Sequence, residues 1–233
     1  MTVYVLVPGA WLGSWVWKRV VHHLEVEGGD VYPVTLTGMG ERVHLLSPDT
    51  GIETAISDVM NVLRFNELDD VVLVGHSFAA KVVSSVGDRM PERVRTIIFL
   101  DTFWPQKVRT PQLSFTPDDF GPIAKDQITL PFTTKVLEAI GKDVKGDDRK
   151  WMMTLATPWP LRYATDPITL TEKYDGLKTS HIFCTNSGYD VNEPISGKWG
   201  KLEGEYRTIE ASHFPMVTKP AETARAIIEL SST

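Results

Sequence analysis

The run Val71-Val72-Leu73-Val74 contains no polar residue and passes straight into Gly75-His76-Ser77-Phe78-Ala79-Ala80. An apolar run without alternation makes a strand whose two faces must both be covered. That demand points to a sheet held between layers of helices. The rest of the chain keeps the same rhythm. Residues 3–7, 31–36, 94–100, 179–185 and 206–211 read as further strands. Residues 15–27, 54–63, 79–89 and 220–230 read as helices. Gly28-Gly29 stops the first helix, and Pro220 stands near the start of the last. The pattern predicts an α/β fold: a mostly parallel sheet of about six strands with helices on both faces.

The rhythm breaks after Asp101. From residue 102 to about 178 the chain carries Pro, Trp and Met in short helix-like pieces, clearest at 133–140 and 147–155. The strand pattern resumes beyond. The break therefore reads as a helical cap, about residues 103–178, inserted over the strand ends of a single domain spanning 1–233. A chain of 233 residues can bury a substantial core.

Gly75-x-Ser77-x-Ala79, between a buried strand and a helix, is the setting a nucleophile elbow needs. The turn is tight, so small residues must flank the serine two positions away. The turn lifts Ser77 Oγ above the sheet and leaves the Phe78 N–H at a helix N-terminus, ready for an oxyanion. A serine hydroxyl is a weak nucleophile and needs a base. Of six histidines, His213 has the right place, in Glu210-Ala211-Ser212-His213-Phe214-Pro215, after the last strand and before the last helix. His22 and His23 fall inside the first helix, His44 in a loop and His181 in a strand. His76 adjoins Ser77 but is expected to point into the packing of the elbow.

The acid that should orient His213 has two candidates, both in the order Ser, Asp, His. Asp101 ends a fully apolar strand, where a carboxylate is costly to bury without a role. Asp190 lies in the polar, glycine-containing loop after the next strand, where Asp is common for turn reasons. Burial favours Asp101, with Asp190 as the alternative. The loop Pro8-Gly9-Ala10-Trp11 after the first strand offers the Ala10 N–H as a second oxyanion donor. Trp11, Phe78, Phe103, Trp104, Trp151, Met152, Met153 and Trp159 are candidates for an apolar substrate lining.

Composition excludes several classes. The 24 basic residues form no run or patch against 30 acidic ones, so a nucleic-acid partner has no electrostatic support. No metal-ligand spacing and no phosphate loop appears, so no metal or cofactor is expected. The single cysteine, Cys184, reads as an inert thiol in a buried strand. No signal peptide and no bilayer-length apolar run is seen, so a cytoplasmic location and no membrane partner are expected.

Pro8-Gly9-Ala10-Trp11 with Gly13, Trp15 and Trp17 resembles the His-Gly-Ala-x-x-Gly-x-Trp-x-Trp opening of the plant methylesterase and hydroxynitrile lyase group of α/β-hydrolases. The segments Gly40 to Leu46 and Leu100 to Pro105 are similar to those of bacterial esterase-like relatives of that group. The resemblance covers nearly the whole chain and is weakest in the cap. It implies the α/β-hydrolase fold and ester hydrolysis of a small molecule, with a homodimer left open. In the plant enzymes the acid matches a position near Asp190; in the bacterial relatives it matches Asp101. Pro8 stands where the group has histidine. Gly9 and Phe214 replace the threonine and lysine of the lyases, which disfavours cyanohydrin cleavage. Ser77 at the elbow argues against the Asp-dependent dehalogenases and epoxide hydrolases. A lactonase, lyase or cyclase on the same scaffold, or a non-catalytic binding protein, are the rival readings.

Overall fold

In a computed structural model, which describes residues 1–102, 123–124, 126–187 and 204–232, the apolar runs form strands. In chain order these are β1 (Val3–Val7), β2 (Asp30–Pro33), β3 (Val71–His76), β4 (Val94–Leu100), β5 (Thr129–Leu130), β6 (Trp159–Pro160), β7 (Thr179–Cys184) and β8 (Tyr206–Ile209). Six of them make one sheet in the order β2-β1-β3-β4-β7-β8, and every neighbouring pair is parallel. The helices are α1 (Lys18–Val26), α2 (Ile52–Phe65), α3 (Ala79–Arg89), α4 (Thr134–Ile140), α5 (Gly146–Leu155), α6 (Leu161–Thr165), α7 (Pro215–Thr218) and α8 (Pro220–Ser231). This is the α/β arrangement the sequence predicts.

Alternate strand residues feed two cores. Val5, Val7, Leu73, Ile97 and Phe99 pack with α2 and α3 on one face. Tyr4, Leu6, Val72, Val74, Ile98 and Leu100 pack with α1 and α8 on the other. Period-two alternation with apolar residues in both phases is what covers both faces.

Several boundaries differ from the sequence reading, each for a local reason. The first helix opens with a 3-10 turn, Ser14–Trp17, whose first N–H donates to Thr35 Oγ1 at 2.7 Å. The edge strand β2 stops at Pro33, which has no N–H to donate. The last strand stops at Ile209 because the Ala211 N–H turns back to the Ile209 carbonyl at 2.9 Å. That turn aims the chain toward His213.

The segment between β4 and β7 is an insertion, since those two strands pair directly, Ile97 with Thr179 through Leu100 with Ile182. It is not purely helical: β5 and β6 form an antiparallel pair. Leu130, Trp159 and Tyr163 from this segment join the α2–α3 core, and Leu137, Val144 and Met152 join the other. Lys81 of α3 is fully buried and donates to the carbonyls of Ala164 at 3.2 Å and Asp166 at 2.5 Å. A cation at the C-terminal end of α6 meets the negative pole of that helix. No helix among the described residues is long and apolar enough to cross a membrane.

Two histidines lie inside the sheet, His76 at the end of β3 and His181 in β7, both buried. Burial, with repulsion from His213, holds the His76 imidazole well below its ordinary value. Burial pulls His181 down to about 4. Folded protein thus binds fewer protons than unfolded chain below the ordinary histidine value. The stability from these groups is complete above about pH 6.5 and is lost as pH falls toward 4. Urea unfolding followed by circular dichroism should show that decline. His181→Phe, extending the contacts of Phe99 and Phe183, should flatten it by up to about 3 kcal/mol; an unchanged slope would contradict the assignment.

Candidate active site

The parallel sheet sends every carboxyl end to one edge, and the candidate residues collect there. Ser77 follows β3 with φ 55°, a left-handed conformation rare for a residue with a side chain. Gly75 makes the turn sterically feasible: a Cβ there would stand 2.6 Å from Val83 Cγ2 and 3.1 Å from the Ala79 carbonyl. The Ser77 N–H still donates to the Leu100 carbonyl at 3.0 Å, so the sheet holds the elbow to its last residue. Ser77 is half-buried while both its neighbours are buried.

Asp101 follows β4 and also has positive φ, 46°. Its N–H donates to the Ile182 carbonyl at 2.7 Å. Its carboxylate accepts the Cys184 N–H at 2.9 Å and meets His213 Nδ1 at 2.5 Å. His213 Nε2 lies 2.9 Å from Ser77 Oγ. With the Nδ1 proton directed at Asp101, Nε2 is left to accept the serine hydroxyl. Asp101 and His213 are only 3% and 4% exposed, so their charge interaction is poorly screened. Asp190, the alternative acid, lies outside the described residues, as do Phe103 and Trp104.

The loop after β1 packs on the elbow. A Cβ at Gly9 would fall 2.4 Å from His76 Nδ1 and 3.2 Å from Ser77 Cβ, so only glycine lets this backbone approach. Ala10 and Phe78 are both buried, and the backbone N–H of neither is taken by another group among the described residues. Trp11 carries φ 67°. Its indole N–H donates to the Leu130 carbonyl at 2.9 Å, and its ring lies 5.5 Å from Trp159 and 5.6 Å from Phe132. The Phe78 ring lies 5.0 Å from Trp159. An aromatic wall thus combines residues of the β1 loop, the elbow and the inserted segment. Trp151 sits elsewhere, edge-on to Trp15 at 5.0 Å and beneath Arg19. Cys184 is buried, and burial together with the Asp101 carboxylate pushes its thiol far up.

His76 is buried as expected, but it has a partner no local pattern reveals. Its Nε2 lies 2.8 Å from the His213 carbonyl. His76 therefore joins the elbow strand to the loop of the candidate base. Gly9→Ala should force the loop off His76, whose ring is pinned by that bond. We expect a loss of about 1–3 kcal/mol in thermal unfolding, together with slower reaction of Ser77 with an organophosphonate; wild-type stability would refute the close packing.

Comparison with known proteins places the fold in a known family. Residues 4–226 match the model of the alpha/beta hydrolase family. The carbendazim hydrolyzing esterase of Nocardioides sp. (strain SG-4G) is 41% identical, over 99% of this chain and 100% of that protein. Methylesterase 4 of Arabidopsis thaliana is 25% identical, over 98% of this chain and 95% of that protein. Among solved structures, a methylesterase protein MES16 from Arabidopsis superposes with a TM-score of 0.82 at 17% identity, covering 100% of this chain and 99% of that one. An extracellular alpha/beta-hydrolase from a Paenibacillus species superposes with a TM-score of 0.81 at 18% identity, covering 99% of each chain. With that fold and those sequence relatives, the chain belongs to the alpha/beta hydrolase family, as a carboxylesterase-type enzyme.

Proposed function

We propose that the protein cleaves a small, largely apolar carboxylic ester through an acyl-enzyme on Ser77. The observation that carries this reading is the unbroken line from Ser77 Oγ through His213 to the Asp101 carboxylate, 2.9 Å and then 2.5 Å. His213 removes the serine proton as Oγ attacks the ester carbonyl, and Asp101 stabilises the imidazolium that forms. The N–H groups of Ala10 and Phe78 receive the developing oxyanion; losing one such donor costs about 100-fold or more in rate. His213 then returns the proton to the leaving alcohol. A water deprotonated by the same imidazole releases the acid and restores Ser77. The aromatic contacts of Trp11, Phe78 and Trp159 support an apolar acyl or alcohol group. Phe103 and Trp104, outside the described residues, complete the proposed lining, whereas Trp151, packed on Trp15 and Arg19, does not join it. The esterase and methylesterase names of the relatives support an ester as the substrate class.

A fluorophosphonate probe and short p-nitrophenyl esters test the reading. Wild-type protein should be labelled on Ser77 and should release acid from the esters. Ser77→Ala and His213→Ala should each cost more than about a thousandfold in kcat. Asp101→Asn should cost about a thousandfold to ten-thousandfold, and Asp190→Asn far less. The reverse order for the two aspartates would move the acid to Asp190. Labelling without turnover of any acyclic ester would favour a lactonase, lyase, cyclase or binding role on the same scaffold.

A further inference from the structure

The loop that carries His213 is held from two sides. From below, His76 reaches the His213 carbonyl. From above, the His213 N–H donates to the Ile140 carbonyl at 2.9 Å, at the end of α4 in the inserted segment. Three residues further along that segment stands Asp143, in the turn between α4 and α5. Its carboxylate collects three donors from the His213 region: the Ser212 N–H at 2.9 Å, the Ser212 hydroxyl, and the Thr218 hydroxyl at 3.0 Å. Ser212 is fully buried and directly precedes His213; Thr218 ends α7, just after it.

We propose that Asp143 is a positioning residue for His213, clamping the loop of the base to the inserted segment so that Nε2 stays in register with Ser77. The proposal rests on the serine-hydrolase reading above. The chemistry of the site favours a carboxylate over any other side chain. Three donors converge on two oxygens, and only an ionised carboxylate accepts on both without presenting a donor of its own. An amide of the same shape would turn an NH2 toward one of the donors. Charge-assisted bonds are also shorter and stronger than neutral ones, which suits a clamp. Among the described residues, every hydrogen bond to the Asp143 carboxylate comes from Ser212 or Thr218. The same contacts join the segment that builds the aromatic wall to the loop that carries the base. A seated segment and a registered base thus come together.

The test separates positioning from simple structural support. Fluorophosphonate labelling of the intact protein gives two numbers: the amplitude counts folded sites, and the rate constant reports the reactivity of Ser77 at each site. Turnover of a short p-nitrophenyl ester, corrected by that amplitude, gives kcat and KM per site. For Asp143→Ala we expect the labelling rate and kcat per site to fall about 10-fold to 100-fold, because a shift of about 1 Å in a reacting group costs up to that much. KM should stay within about threefold, since the substrate contacts are untouched. Asp143→Asn should fall between Ala and wild type, because one oxygen remains. Thr218→Val, which removes one of the three donors and leaves the carboxylate, should give a smaller loss of the same kind and serves if Asp143→Ala does not fold. Reduced amplitude with wild-type rate and kcat per site would overturn the proposal and leave Asp143 a structural residue. Wild-type protein that is not labelled at all would instead overturn the serine-hydrolase reading on which it rests.

Discussion

Everything at the candidate site depends on the parallel register of one sheet. Because β1, β3, β4, β7 and β8 all run the same way, the loops that leave their carboxyl ends meet along one edge. Gly9, Ser77, Asp101 and His213 follow β1, β3, β4 and β8 respectively. An antiparallel arrangement would divide them between two edges. The inner strands β1, β3, β4 and β7 are buried on both faces almost throughout, so helices must cover each side.

Backbone strain marks the same edge. Trp11, Ser77 and Asp101 all have positive φ, a conformation that costs free energy for a residue with a Cβ. Each is held there by bonds to a neighbour: Ser77 N–H to Leu100, Asp101 N–H to Ile182, and the Trp11 carbonyl to the Thr157 N–H at 3.0 Å. The sheet and the inserted segment over-determine these three residues. That is how Ser77, His213 and Asp101 come to stand at hydrogen-bond distance.

The inserted segment does more than cover the sheet. It supplies Leu130 and Trp159 to the wall around Trp11, Ile140 to the His213 N–H, and Asp143 to the flanking Ser212. Buried Lys81 ties it down from the far side. On the proposed reading, substrate lining and orientation of the base share one piece of chain.

Much of this was legible in the sequence because its causes are local. The apolar run before Gly75, the small residues at 75 and 79 and the helix beyond determined the elbow within ten residues. The alternation of short strands and helices determined the sheet and its helical cover. The bounds of α3 and β4 follow directly from their apolar spans, whereas β2 and β8 end early where Pro33 and the Ala211 turn intervene. The tertiary structure alone decided which groups meet. Asp101 and His213 are 112 residues apart, His76 and His213 137, and Asp143 and Ser212 69. No spacing rule links such pairs, because their contact depends on where separate strands end and how an irregular insertion folds back. The sequence by itself determined that Ser77 would stand at a sheet edge. Only the fold decided what stands beside it, because hydrogen bonds are settled by ångströms that local patterns do not carry.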